Sequence, residues 1–188
     1  YSGMDDFLSL KNNSNSFQLE FSVAMDAESI NNINLSSSLY GNLNYSVNDT
    51  SPFIFMLNSD HNMASMDTLT LTLPMSLQSS YGYGFDGDGD GLPGDGKEID
   101  IYTETLADYD HNGLINFTDL TTFITAWYID DYSKELGPFT GEVPHLIPAF
   151  DNAFDIEDII AFMFMWNWSD DFSPSSMARM DEIGVPPT

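Results

Sequence analysis

The chain has 188 residues, and 30 Asp and Glu against 4 Lys and Arg give it a formal net charge of −26. Nucleic acids and anionic membrane surfaces are bound through basic faces, so this charge excludes both as partners. The sequence contains no Cys, which excludes disulfides, thiolate metal sites and cysteine nucleophiles. A hydrophobic content of 42% favours a packed core over a disordered acidic tail. No apolar run is long enough to predict a transmembrane helix.

The N-terminal half is predicted to be all-β. Residues 1–15 are interpreted as a lead or tail, with the apolar members Met4, Phe7, Leu8 and Leu10. From Phe17 the apolar residues alternate with polar ones, as a half-buried strand requires. The alternating segments are Phe17–Val23, Leu43–Val47, Phe53–Leu57 and Leu69–Leu73. Short strands separated by turn signals at Gly41, Asn48-Asp49 and Pro52 favour an antiparallel sandwich.

Beyond Leu106 the apolar spacing changes to that of helices. The first predicted helix carries Leu120, Phe123, Ile124 and Trp127, and the second repeats the spacing with Ile159, Phe162, Met163 and Trp166. An acidic stretch precedes each helix and ends in Asp119 or Asp158, which indicates an internal duplication. The final residues, 171–188, are interpreted as a tail or linker.

The sharpest motif is the segment 108–119. A calcium loop of the EF type places oxygen ligands at its first, third, fifth, seventh, ninth and twelfth positions, with Gly at the sixth. Gly113 occupies that sixth position, and Ile115 is the apolar residue that holds such a loop against its neighbours. The predicted ligands are Asp108, Asp110, Asn112, the backbone carbonyl of Leu114, Asn116 and Asp119. Because all of these donors are oxygens, calcium is the predicted cofactor, and the tighter octahedron of magnesium suits the loop less well.

Two other acidic segments are weaker candidates for metal binding. One is the alternating series Asp86, Asp88 and Asp90, for which the competing interpretation is a flexible surface loop, since Lys97 occupies the closing position. The other is 147–158, with Asp151, Asp155 and Asp158 as candidate ligands. Its first and third positions, Ile147 and Ala149, offer no side-chain oxygen, so a helix N-terminus enriched in acids is the alternative.

Two resemblances to known families follow from these motifs. The stretch F-S-V-A-M-D-A-E-S-I-N at 21–31 resembles bacterial Ig-like domains of the SbsA type, over about residues 16–105. The loop at 108–119, which ends in Asp rather than Glu, resembles the loop-helix half of a dockerin, over about residues 106–168. Together they imply a mixed, two-part fold class: an all-β Ig-like sandwich at 16–105, followed at 106–170 by a small α-helical dockerin-like domain with paired loop-helix calcium units.

No catalytic constellation is recognised, because His61, His111 and His145 show neither metal nor triad spacing, and the chain is predicted not to be an enzyme. The predicted function is that of a calcium-stabilised structural or adhesion module, secreted or at a prokaryotic cell surface, which self-associates in a surface layer or filament or contacts neighbouring surface-protein domains. The alternative is a dockerin-type module that docks onto a cohesin of a scaffold protein.

Overall fold

The computed structural model describes residues 7–11 and 15–171. The chain divides into two compact units. Unit 1 comprises residues 1–63 and 67–103, and unit 2 comprises residues 64–66 and 104–188. This division lies close to the domain boundary predicted after residue 105. No helix within the described ranges has the length and apolar character needed to cross a membrane.

Strands dominate unit 1, and the two long helices belong to unit 2. Unit 1 contains β1 (Phe7–Leu8), β2 (Ser16–Glu20), α1 (Ala27–Ile30), β3 (Asn34–Ser37), β4 (Gly41–Asn42), β5 (Tyr45–Ser51), β6 (Ile54–Ser59), β7 (Thr68–Leu73) and β8 (Lys97–Thr103). Unit 2 contains α2 (Phe117–Tyr128), a 3-10 turn (Tyr132–Lys134), β9 (Phe139–Thr140), β10 (Ile147–Pro148) and α3 (Ile156–Asp171).

Unit 1 is built from two sheets. The larger has five strands in the order β1-β8-β7-β3-β4, and the smaller has three in the order β2-β6-β5. Alternate residues of the central strands are buried: Phe55 and Leu57 in β6, and Leu69 and Leu71 in β7. The alternation in the sequence therefore predicted these two strands and their buried face. The strand predicted to run from Phe17 to Val23 ends at Glu20, and Val23 is 52% exposed.

The predicted fold class, an Ig-like sandwich followed by a small α-helical dockerin-like domain, is wrong. The described residues contain more strand than helix, with three sheets and only three α-helices, of 4, 12 and 16 residues. An Ig-like sandwich has two antiparallel sheets, whereas β1 pairs with β8 in parallel. In unit 2 the segment between the long helices forms the antiparallel pair β9–β10, so this unit is not purely helical. The periodicity of apolar residues identifies single strands and helices, but it does not determine how the strands pair, so the sheet topology could not be predicted from it.

The interpretation of residues 1–15 as a tail is also wrong for the part that the structure describes. Phe7 and Leu8 pair with Tyr102 and Thr103 at the edge of the five-stranded sheet. Leu10, which follows, is fully buried at 0% exposure. Met4 lies outside the described residues.

The two long helices of unit 2 are confirmed, but their buried faces differ in part from those predicted. Helix α2 buries Phe123 and Ala126, whereas Ile124 is 57% exposed. Helix α3 buries Phe162 and Met165 along with other residues, whereas Met163 is 55% exposed. Both helices carry apolar residues on more than one face, so spacing alone did not identify the face that packs.

Removing the Leu10 side chain is expected to destabilise unit 1. Truncating a fully buried Leu to Ala costs about 2–5 kcal/mol, since transfer and cavity terms add. Equilibrium urea unfolding of Leu10→Ala should show this loss. The matched control is Met75→Ala, at a side chain that is 68% exposed, which should stay within about 0.5 kcal/mol of the parent. Equal stability of the two variants would contradict the packing of Leu10 in the core and would favour a tail at residues 7–11.

Candidate metal centres

Two groups of three carboxylates could hold a metal ion. The first is Asp108, Asp110 and Asp119, and the second is Asp86, Asp88 and Asp90. In each group, one oxygen from every residue lies within 4.8 Å of the others. Ligand oxygens lie about 2.3–2.6 Å from a calcium ion, so oxygens at this mutual separation can share one ion.

In the first group, Asp108 is held in place by the backbone of its own loop. Its Oδ1 accepts a hydrogen bond from the Asn112 amide at 3.2 Å, and its Oδ2 accepts one from the Gly113 amide at 2.9 Å. Gly113 has a φ of 82°, a left-handed conformation that Gly adopts without steric cost. The chain thereby wraps around the Asp108 carboxylate.

Asp119 closes the same loop and lies in the first turn of helix α2. It is 0% exposed. One oxygen accepts from the Tyr109 amide at 2.8 Å, and the other accepts from the Asn116 amide at 2.9 Å. With the Asn116 side chain accepting from the first turn, this is a capping box. The same carboxylate therefore organises the helix start and faces the other two acids.

The remaining predicted ligands lie along the loop between these two acids. The Asn112 side-chain oxygen accepts from the Leu114 amide at 2.9 Å, and the Leu114 carbonyl accepts from the Asn116 side-chain amide at 3.3 Å. Asn112 and Leu114 are exposed. Ile115 is 4% exposed, and its amide donates to the Ser169 hydroxyl of α3 at 3.0 Å. Ile115 thus anchors the loop, as predicted.

The electrostatics of this loop disfavour a full set of negative charges. Burial raises the pKa of Asp108 above its ordinary value, although hydrogen bonds from Gly113 and Asn112 oppose the rise. The charge of Asp119 raises the pKa of Asp108 further. A cation between these carboxylates would reverse the repulsion, because it favours the ionised form of each.

The second group repeats the local geometry of the first. Asp86 accepts from the Gly91 amide at 2.9 Å, just as Asp108 accepts from Gly113 five residues along the chain. The Asp88 carboxylate accepts from the Asp90 amide at 3.0 Å, and the Asp90 carboxylate accepts from the Leu92 amide at 2.7 Å. Hydrogen bonds from Gly89 and Gly91 lower the pKa of Asp86. The segment is therefore a hydrogen-bonded turn.

The second group differs from the first in its exposure and in its closing residue. Asp88 and Asp90 are exposed, whereas Asp108 and Asp119 are 5% and 0% exposed. Lys97, at the closing position, starts strand β8 and pairs with Leu73. Within this segment, all of which the structure describes, no buried carboxylate corresponds to Asp119, so the first group is the better candidate.

The structure does not bring the third set of predicted ligands into one cluster. Within the described ranges, Asp151, Asp155 and Asp158 do not form a carboxylate group like the other two. Asp151 and Asp155 are exposed, and Asp158 is fully buried. One Asp158 oxygen accepts from the Leu136 amide at 2.7 Å and the Gly137 amide at 2.9 Å. The other accepts from Asp155 at 2.8 Å. These bonds favour a structural role for Asp158.

Glu135 is a buried acid of the loop that precedes helix α3, and the sequence pattern did not reveal it. It is 2% exposed, and one carboxylate oxygen accepts from the Asp151 and Asn152 amides. Asn152 lies six residues before Asp158, as Gly113 lies six before Asp119, and it too has a positive φ, of 61°. Glu135 accepts the amide at that turn as Asp108 does in the first loop.

The residue after each of these acids extends the correspondence. The Leu136 amide donates to Asp158 as the Tyr109 amide donates to Asp119. The second half of the duplication is therefore a split loop, in which Glu135-Leu136 replaces Asp108-Tyr109 and the β9–β10 pair is inserted. The sequence analysis treated 147–158 as one continuous loop with Ile147 at its first position. Glu135 lies outside that segment, so the spacing within the loop could not identify it.

No protein-family model matches this chain, and no curated protein sequence matches it. The resemblances to Ig-like domains and dockerins consequently rest on the short motifs at 21–31 and 108–119.

The raised pKa of Asp108 predicts a pH dependence in metal-stripped protein. Because the fold disfavours the ionised form of Asp108, its destabilising effect is present at neutral pH and is relieved as the pH falls through its raised folded pKa. The difference in unfolding free energy between the parent and Asp108→Asn should therefore move in favour of the parent between pH 7 and pH 4. Urea unfolding of both proteins at each pH measures this. A constant difference, or a shift the other way, would contradict the raised pKa.

Proposed function

We propose that the protein is a calcium-stabilised extracellular structural or adhesion module, in which calcium closes the Asp108 loop. The observation that carries this proposal is the convergence of Asp108, Asp110 and Asp119 within 4.8 Å, with two of the three carboxylates buried. Burying ionised carboxylates side by side is costly unless a cation compensates their charge. The donors are all oxygens, as calcium prefers.

Calcium suits this donor set better than other common ions. Zinc prefers imidazole and thiolate ligands, and the cluster offers neither. Magnesium requires a near-ideal octahedron and keeps several waters, so it is usually bound by only one or two carboxylates. A flexible loop with three carboxylates, an amide oxygen and a backbone carbonyl fits the larger, more tolerant shell of calcium.

Ion binding of this kind would be linked to folding. The segment from Asp86 to Asp119 has Lys97 as its only Lys or Arg, against ten acidic residues: Asp86, Asp88, Asp90, Asp95, Glu98, Asp100, Glu104, Asp108, Asp110 and Asp119. An ion that binds the folded state alone stabilises it by mass action. A calcium-rich environment outside the cell would then favour the folded module, and loss of calcium would loosen the loop.

A second candidate function is that of a module that docks onto a partner protein, with a cohesin as the partner that the dockerin resemblance implies. The observation that favours it is apolar exposure on the helices of unit 2. On α2, Phe117 and Tyr128 are 74% and 89% exposed, and on α3, Ile156 and Met163 are 62% and 55% exposed. Apolar side chains gathered on an exposed face are typical of protein interaction sites.

Calcium should raise the melting temperature far more than sodium at matched ionic strength. One site at a hundredfold excess of ion over its dissociation constant adds about 2.7 kcal/mol, whereas screening acts on all charges alike. Asp108→Asn should remove most of this increment, because it takes a carboxylate from the loop. The matched control is Glu142→Gln, which removes one exposed charge from the same unit. Differential scanning calorimetry of the three proteins gives the comparison.

Two results would contradict the calcium assignment. If sodium fully restored the melting temperature of the chelated protein, the effect would be general screening of charge. An equal calcium response in Asp108→Asn and Glu142→Gln would show that the ion binds at another site. Asp151→Asn serves as a third variant. It should keep the calcium response, since Asp151 does not belong to the converging carboxylates.

Particle size distinguishes the two candidate functions. If the chain is a self-associating structural component, multi-angle light scattering in calcium should show oligomers. Ile124→Gln together with Met163→Gln then tests whether the exposed apolar residues of α2 and α3 form the contact, in which case the variant should dissociate. A docking module should remain a monomer in the parent and in the variant. Both substitutions fall on exposed side chains, so each should change folding stability by no more than about 0.5 kcal/mol. Oligomers unaffected by the substitutions would place the contact on another surface.

A further inference from the structure

Unit 1 contains an open groove of about 700 Å³, lined by its own residues. It lies where the chain leaves strand β2, between the segment 21–25 and the segment 79–86. The two segments are joined by backbone hydrogen bonds, from the Ser80 amide to the Ala24 carbonyl at 2.9 Å and from the Asp26 amide to the Gln78 carbonyl at 3.0 Å. The groove is therefore bounded by hydrogen-bonded chain.

The walls of the groove are rich in exposed aromatic rings. Tyr81 and Tyr83 are 79% and 74% exposed, and Phe53 is 44% exposed. The two tyrosines lie on a tight turn, in which the Gly82 amide donates to the Ser79 carbonyl at 2.8 Å and the Ser79 amide donates to the Tyr83 carbonyl at 2.8 Å. Gly82 has a φ of 80°, which suits a residue without a side chain. The turn holds both rings at the groove without burying them.

The charge at the groove is negative. Among the described residues that line it, Asp86 carries the one carboxylate, and none is Lys or Arg. Both Asp86 oxygens accept backbone amides, from Gly89 at 2.7 Å and from Gly91 at 2.9 Å, which fixes the carboxylate in place. Against a chain charge of −26, an anionic ligand would be repelled.

We propose that this groove binds the Lys or Arg side chain of a partner polypeptide. Such a side chain has an apolar stem and a cationic head, and the stem would pack on Phe53 and Val23, both of which line the groove and are exposed, while the head meets the tyrosine rings and Asp86. A cation over an aromatic face is attracted by the electrons of the ring, and Arg stacks especially well. The groove offers apolar surface, ring faces and one carboxylate, which together complement this one kind of side chain.

The proposal goes beyond the calcium site of the Asp108 loop, since it concerns a surface of unit 1 that this loop does not include. It uses Asp86 of the second carboxylate group, so the test is made without the other two carboxylates of that group. A purely apolar ligand would cover the groove but would bring no positive charge to Asp86, whose oxygens accept only backbone amides. An acidic ligand would place like charges together. A neutral sugar could stack on the tyrosines without using the charge, so it is tested as the competing outcome.

The test uses the full chain in calcium buffer and follows its backbone amides by two-dimensional NMR. The background variant carries Asp88→Asn and Asp90→Asn, so that the acidic turn loses two of its three carboxylates and Asp86 keeps its charge. The probe is the peptide acetyl-Ala-Leu-Arg-Leu-Ala-amide. Two matched peptides replace Arg with citrulline, which has the same shape without the charge, or with Glu.

We expect the Arg peptide to shift the Gly82 and Tyr83 amides saturably and to bind at least about threefold more tightly than the citrulline peptide. Tyr81→Ala and Tyr83→Ala should each weaken binding by about two- to fivefold, the range of an exposed cation–π contact. Asp86→Asn should also weaken it. The control Tyr40→Ala removes a tyrosine that is 49% exposed and does not line the groove, so it should leave binding unchanged.

Three results would overturn the proposal. Equal binding of the Arg and citrulline peptides would show that the charge does not contribute. Unchanged binding in both tyrosine variants would show that the peptide does not bind in the groove. Absence of saturable shifts with the Arg peptide would overturn it by itself, and saturable shifts on adding a neutral disaccharide such as cellobiose would then make the groove a sugar site.

Discussion

The burial of like charges is the constraint on which unit 2 depends. Asp119 is completely buried, and Asp108 is nearly so, within 4.8 Å of each other and of Asp110. Hydrogen bonds from Tyr109 and Asn116 satisfy Asp119, and bonds from Asn112 and Gly113 satisfy Asp108, but hydrogen bonds alone do not remove the repulsion between the charges. The start of helix α2 and the position of Ile115 follow from this loop. A bound cation would therefore stabilise more of unit 2 than its immediate ligands.

The two halves of unit 2 balance a buried carboxylate in different ways. Asp158 has the same place at the start of α3 as Asp119 has at the start of α2, and it is equally buried. Asp158 accepts hydrogen bonds from the amides of Leu136 and Gly137, while Glu135 accepts those from the amides of Asp151 and Asn152. The acids around it do not converge on one point. One half of the duplication thus concentrates negative charge, and the other distributes it over backbone donors.

Local spacing predicted what is local in this molecule. The Asp108 loop and its Gly113 turn could be recognised because the carboxylates and amides that form them lie within the segment 108–119. Both long helices, and Ile115 at its place in the loop, could be recognised from spacing alone, although the Ile115 amide contacts the distant Ser169. Glu135 could not, since the amides that it accepts belong to Asp151 and Asn152, beyond the β9–β10 pair. The pairing of β1 with β8 joins residues much farther apart in sequence and involves only two residues of each strand. Exposure of Ile124 and Met163 escaped prediction because both helices are apolar on more than one face.

The most direct test of a cation in the Asp108 loop is the amide resonance of Gly113 during a calcium titration of the metal-stripped chain. Gly113 donates to the Asp108 carboxylate at 2.9 Å, so coordination of that carboxylate must change the shielding of its amide. If calcium occupies the loop, Gly113 should shift saturably with one ion per loop, and Asp108→Asn should show no such shift. A Gly113 amide that stays unchanged while calcium still raises the stability of the protein would contradict a cation at this site.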